Sequence, residues 1–122
     1  MTGKREWYFP DAEVPPMGMD TEVYGHESII ILNPNDVNAH ISITLYWTDR
    51  PPTRGIFVDV KAGRVFCQRI TARDGLLGLP IPEGEQYAIA LTSDIPIIAQ
   101  YGRLDVRQSN MAFYTTTGYQ EA

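Results

Sequence analysis

The sequence predicts an all-β fold, a β-sandwich of about eight short, mostly antiparallel strands in a single domain over residues 1–122. Three observations predict it. The 9 prolines and 10 glycines fall between short apolar runs, as turns fall between strands. Ile41, Ile43, Leu45 and Trp47 alternate with Ser42, Thr44, Tyr46 and Thr48, a period of two that gives a strand one apolar and one polar face. No stretch longer than about one turn combines helical spacing with caps.

In chain order, Trp7-Tyr8-Phe9 is a first strand, ended by Pro10. Residues 10–25 read as a long loop, a length more often functional than idle in so small a domain. Glu27–Asn33 is an isoleucine-rich strand, too continuous to be half exposed, so burial on both faces or a covering neighbour is expected. Asn33-Pro34-Asn35-Asp36 is a turn in which proline sets φ and the Asn and Asp side chains bond back to the backbone. Ile41–Thr48 follows, ended by Asp49-Arg50-Pro51-Pro52. Ile56–Lys61 and Val65–Ile70, joined by Ala62-Gly63, read as a hairpin. A Gly/Pro-rich connection over 71–84 leads to strands at Gln86–Ser93 and Ile95–Leu104. Pro96 is expected at the start of the second, where its missing N–H costs nothing. Met111–Thr117 is the last strand, with Gly118 and a polar tail after it.

Composition narrows the function. With 43% hydrophobic and 20% charged residues the chain is globular and large enough to build a core unaided. Its one cysteine, Cys67, staples nothing and reads as a packed strand residue. No apolar segment follows Lys4 and Arg5 as in a leader peptide, and the longest apolar run, Ile29–Leu32, is far short of a membrane span, so a cytoplasmic protein is expected. The net charge of −5 opposes nonspecific nucleic-acid binding. The charge is uneven, however: residues 50–73 carry Arg50, Arg54, Lys61, Arg64, Arg69 and Arg73 against Asp59 alone. That segment is either a solvated strand edge or a local surface for an anion.

Catalytic machinery is not legible. The two histidines, His26 and His40, sit in no nucleophile–base motif, and there is no Gly-x-Ser-x-Gly elbow. His26 and Glu27 are adjacent on a strand and point to opposite faces, so they do not chelate one ion together. Gly75-Leu76-Leu77-Gly78 lacks the lysine and helix of a phosphate loop. No enzyme, metal site or cofactor is expected. The densest recognition segment is Arg103-Leu104-Asp105-Val106-Arg107-Gln108, in which Arg103, Asp105 and Arg107 share a strand face. An aspartate between two arginines is either a structural ion-pair ladder or a device that orients guanidinium groups toward a ligand acceptor.

The ordered set Trp7, Gly25-His26-Glu27-Ser28, Ile31-Leu32-Asn33, Ala39-His40-Ile41-Ser42-Ile43-Thr44-Leu45-Tyr46, Pro96-Ile97-Ile98-Ala99-Gln100 and Arg103-Leu104-Asp105-Val106-Arg107-Gln108 resembles the sensory rhodopsin transducer family. The likeness runs from about Trp7 to Tyr119. It implies a β-sandwich that assembles as a homo-oligomer, a tetramer, with a signalling role and no enzymatic activity. It also implies three readings. The first is a small-molecule-binding domain taking a sugar-like ligand in a pocket at the sandwich rim. The second is a transducer that docks on a sensory rhodopsin, and the third is a DNA-binding regulator. Trp7, His26, Glu27, Arg69, Arg103, Asp105 and Arg107 fall on the family pattern and are the candidate ligand-binding residues. Trp7 would offer a stacking face, Glu27 and Asp105 would accept hydroxyls, and the arginines would donate. Each has a structural counterpart: Trp7 as core, Arg69 in a buried ion pair. His26 and Glu27 share one cavity only if a bulge intervenes.

Overall fold

The computed structural model describes residues 1–18, 23–108 and 110–122, and all of them lie in strands, turns or loops, with no helix. The strands are β1 (Lys4–Ala12), β2 (His26–Asn33), β3 (Ala39–Trp47), β4 (Thr53–Val60), β5 (Arg64–Ile70), β6 (Tyr87–Asp105), β7 (Ala112–Thr116) and β8 (Tyr119–Glu121). Every strand pair is antiparallel.

β6 organises the fold. Its first half pairs with β1 and β3, and its second half, from Ile98 onward, pairs with β2 and β7. One layer therefore runs β4-β3-β6-β1-β8 and the other β5-β2-β6-β7. Apolar side chains from both layers fill one core: Phe9, Ile43, Leu45, Ile89 and Leu91 from the first, Ile29, Ile31, Ala99 and Tyr101 from the second. Phe9 and Tyr101 meet across the layers with ring centroids 6.2 Å apart.

Several expectations are corrected. Gln86–Ser93 and Ile95–Leu104 are one continuous strand, and Pro96 lies inside it. Proline is tolerated there because β6 changes partners at that step: Ser93 is its last residue on β3 and Ile98 its first on β2. The expected hairpin over 56–70 does not form. β4 pairs with β3 and β5 with β2, so the Ala62-Gly63 turn carries the chain from one layer to the other. Pro10 does not end β1. A register shift between Phe9 and Ala12 absorbs it, and Ala12 still pairs with Tyr87. The tail after Gly118 is a strand, β8, which pairs with β1. Cys67 is exposed on the solvent face of β5 rather than packed.

β2 shows alternating burial instead of burial on both faces. Glu27, Ile29, Ile31 and Asn33 point inward, whereas Leu32 is exposed. Both edges of β2 are paired, and on its outer face His26, Ser28 and Ile30 are half-buried while Leu32 is exposed. The expected loop at 10–25 begins inside β1. Its Val14 is buried and accepts a hydrogen bond from the Gly84 backbone at 2.9 Å, and Gly25 N–H donates to Met17 O at 3.0 Å. Residues 19–22 of that loop lie outside the described residues.

The 33–36 turn works as its residues predict. Asn35 N–H donates to Asn33 Oδ1 at 3.1 Å, and Asn33 Nδ2 donates to the carbonyls of Val37 and Val60. Asn35 Nδ2 then reaches Pro96 O at 2.7 Å, tying the turn to the point where β6 changes layers.

Gly118 makes the turn between β7 and β8. Its φ is +69°, and a Cβ there would stand 2.5 Å from Tyr8 O. Gly118→Ala should cost about 1–2 kcal/mol, from left-handed strain plus that clash. The urea midpoint reads it, and an unchanged midpoint would mean that β8 contributes nothing to stability.

Candidate functional site

The candidate site lies where the second half of β6 meets β7 and the end of β1. The cross-strand register sets Arg103 of β6 opposite Tyr114 of β7, which brings the two side chains together. Arg103 Nε donates to Tyr114 Oη at 2.9 Å, Nη2 donates to the same oxygen, and Nη2 also reaches Asp11 Oδ2 at 3.3 Å. The guanidinium carbon stands 5.1 Å from the Tyr114 ring centroid and 5.9 Å from that of Tyr101. Only 11% of the Arg103 side chain is exposed. A planar cation held by two rings and a carboxylate loses little freedom when it meets an acceptor. Its Nη1 has no hydrogen-bond partner among the described residues.

Beside this cluster is a recess of about 290 Å³ lined by Phe9, Pro10, Asp11, Tyr114, Thr116 and Gly118. Its wall combines aromatic faces, a carboxylate and a hydroxyl, with Arg103 bonded to two of the lining residues.

Beneath the cluster is a buried polar knot. Glu27 is 0% exposed. Its Oε1 accepts from Tyr87 Oη at 2.5 Å, and its Oε2 accepts from Tyr101 Oη and from the Glu13 backbone N–H at 3.0 Å. Burial pushes the Glu27 carboxyl above the ordinary carboxylate range, against the opposing pull of those three bonds and of the Arg103 charge. Burial also raises both tyrosine hydroxyls, helped by the Glu27 charge, so neither ionises near neutral pH.

The residues singled out in the sequence separate into groups. Arg103 is bonded to Asp11 and Tyr114 of the recess wall, and Glu27 approaches Arg103 through the Tyr101 ring. Asp105 and Arg107 form their own pair at the end of β6. Arg107 Nε donates to Asp105 Oδ2 at 2.8 Å, and its backbone N–H donates to Oδ1 at 2.9 Å. That bonding holds the Asp105 carboxyl below its ordinary range. Arg103 turns instead to Asp11, so the ladder through Asp105 has one arginine rather than two.

The other three lie away from the recess. Trp7 is in the core, its indole N–H donating to Lys4 O at 3.0 Å, so it presents no open stacking face. His26 points to the opposite side of β2 from Glu27, with Nδ1 3.0 Å from Tyr24 O and no bulge to bring the two together. Arg69 is exposed on β5 and has no carboxylate within 4 Å among the described residues, so it forms no buried pair.

Asp11, Tyr114, Thr116 and Gly118 were not singled out in the sequence. Their signal was the pairing of β7 with β6 and of β8 with β1, which periodicity alone does not give. Among the described residues no group of three His, Cys, Asp or Glu side chains is placed to hold a metal ion. No helix of the described residues is long and apolar enough to cross a membrane.

The family model described as Anabaena sensory rhodopsin transducer matches residues 2–120. The chain belongs to this family. Two solved structures agree. The crystal structure of Thermotoga maritima 1070 shares 34% identity, with 99% of this chain and 97% of that one covered and a TM-score of 0.86. The Anabaena sensory rhodopsin transducer shares 31% identity over 88% of this chain and 95% of its own, with a TM-score of 0.68. No curated protein matches. The resemblance read in the sequence is therefore the family of the chain, and the family carries the whole sandwich, from β1 to β8.

Proposed function

We propose that this chain is a non-enzymatic signalling domain that binds a small, sugar-like ligand in the recess beside Arg103. The observation that carries the reading is the fixed guanidinium of Arg103, bonded to Asp11 and Tyr114, two residues that line a recess large enough for one pyranose-sized molecule. Hydroxyl-rich ligands suit such a wall. Asp11 accepts, Arg103 Nη1 donates, and the Tyr114 face packs on the apolar side of a ring. In this reading Glu27 is a positioning residue that acts through Tyr101, and the Asp105–Arg107 pair stands at the rim. Trp7, His26 and Arg69 take no part.

A thermal-shift panel of monosaccharides and sugar acids tests the site. A compound at about ten times its Kd adds about 1.4 kcal/mol, which moves Tm by a few degrees. Arg103→Ala and Tyr114→Ala should erase the shift while leaving a cooperative transition. A hit whose shift survives both substitutions binds elsewhere, and a panel with no hit counts against a sugar-like ligand.

A second reading, docking on a sensory rhodopsin, follows from the name of the structural relative and from an uncovered apolar row. Leu32, exposed on β2, lies in register with Val65 on β5 and Ile98 on β6, both also exposed. The same row suits self-association into the tetramer that the resemblance implies, and sedimentation of the wild type against Leu32→Glu separates the two uses. The DNA-binding reading rests on the resemblance and on the basic residues of 50–73, and it requires binding that falls steeply with salt.

A further inference from the structure

We propose that the edge of β4, together with the turn at 76–79, forms a docking groove for an extended acidic peptide segment that carries apolar side chains. The groove measures about 470 Å³ and is lined by Thr53–Phe57 on one side and Leu76–Leu79 on the other. It lies apart from the Arg103 recess, with which it shares no lining residue.

Four observations carry the proposal. First, among the described residues β4 pairs only with β3, so its far edge offers unpaired backbone groups, the template for an added strand. Second, the opposite wall is built rather than loose. Leu76 is fully buried, Leu76 and Leu79 exchange backbone hydrogen bonds at 2.9 and 2.8 Å, and Gly75 N–H donates to Thr71 O at 2.9 Å. Third, two large apolar side chains stay in solvent at this groove: Phe57 at 73% and Leu77 at 45% exposure. Leu77 does so from the left-handed region, φ +49°, where a glycine or asparagine would sit without strain. A strained leucine held in water has no role in the core, and its use is to meet something outside. Beside it, Gly55 and Gly78 have open space where a Cβ would stand, so a second backbone can approach closely.

The fourth observation sets the chemistry of the partner. Arg54 lines the groove. Arg54 and Lys61 on the β4 side, and Arg64 and Arg69 on β5, have no carboxylate within 4 Å among the described residues. By contrast Arg50, Arg73, Arg103 and Arg107 are all paired. The molecule is acidic overall, and of its six Lys and Arg side chains without such a partner among the described residues two, Lys4 and Arg5, lie on β1 and four lie on or beside these two edge strands, so Arg54 in the groove and Lys61 just past the end of β4 attract an acidic segment. Groove residues 53–57 span about 17 Å of strand, which matches about five residues of an extended peptide. Alternate side chains of that peptide would face Phe57 and Leu77.

The test is fluorescence anisotropy of a labelled eight-residue peptide of alternating Glu and Leu against the full chain. Its Lys-for-Glu counterpart and a short DNA duplex serve as competing probes. The Glu/Leu peptide is expected to bind, with its affinity reduced at least about tenfold by Arg54→Glu. Leu77→Gly is the decisive variant. It removes the apolar contact and relieves the backbone, so binding should weaken while Tm stays the same or rises. Backbone amide shifts on titration should centre on 53–57 and 76–79. Absence of binding, equal binding of the Lys/Leu peptide, or insensitivity to both substitutions overturns the proposal. Tighter binding of the duplex than of the peptide replaces it with a nucleic-acid surface.

Discussion

Glu27→Ala is expected to lower the unfolding free energy by about 3–5 kcal/mol, the largest effect of any single substitution discussed for this chain. Three donors converge on this carboxyl: the hydroxyls of Tyr87 and Tyr101 and the N–H of Glu13. All three lose their acceptor at once in a place that water does not reach, and a cavity adds to the loss. Glu27→Gln keeps the volume and one accepting oxygen, so its cost should be about 1–2 kcal/mol. Denaturant unfolding of both variants measures the difference, and an alanine variant within about 0.5 kcal/mol of wild type would show that the knot is not a stabilising unit. The same residue sets a pH dependence. Burial raises its folded pKa above that of the unfolded chain. The folded state thus holds a proton that the unfolded state has released. The stability this gives is fully present below the unfolded carboxyl pKa of about 4.3 and is lost as pH rises through the higher folded value. Glu27→Gln should remove that slope, so the wild type loses ground to the variant as pH climbs from acid toward neutral.

Asn33→Ala is expected to cost about 2–3 kcal/mol. Asn33 is fully buried, and its amide donates to Val37 O at 2.8 Å and Val60 O at 3.0 Å while its oxygen accepts from Asn35 N–H. The bond to Val60 spans from the end of β2 to the end of β4, so the side chain joins strands of different layers. Asn33→Asp separates hydrogen bonding from volume. It is isosteric, but it sets a carboxylate oxygen against two carbonyls, so its cost at neutral pH should equal or exceed that of alanine. A clearly milder aspartate variant would mean that packing, and not the donated bonds, is what Asn33 supplies.

What the sequence made legible follows the range of each interaction. β3 is plain from the alternation of Ile41, Ile43 and Leu45, because period-two burial is a local property. The 33–36 turn is equally plain, since Asn33 and Asn35 bond to neighbouring backbone. Pairing is not local. The Ala62-Gly63 turn suits a hairpin and a layer crossing equally well, and only the partners β3 and β2 decide between them. Pro96 reads as a strand start, because nothing in its neighbours shows that β6 trades partners there. The site divides in the same way. Arg103 stood out in a charge-dense segment and Glu27 through the family pattern, and the opposed faces of His26 and Glu27 follow from alternation alone. Asp11 and Tyr114 join Arg103 only through the β1–β6 and β6–β7 registers. Trp7 is invariant to such arguments, since an indole on a strand fits a core and a rim alike, and its burial follows from the layer above it.

The late position of β6 in the chain has a consequence for how the molecule is made. β1, β2 and β3 all find their central neighbour in residues 87–105, far downstream of each. During synthesis from the amino terminus these three strands emerge with exposed edges and apolar faces but without the segment they must embrace. The β3–β4 and β2–β5 pairs can form earlier, but the two layers cannot join until residues 87–105 have emerged, so completion of the sandwich is a late step dominated by distant pairings.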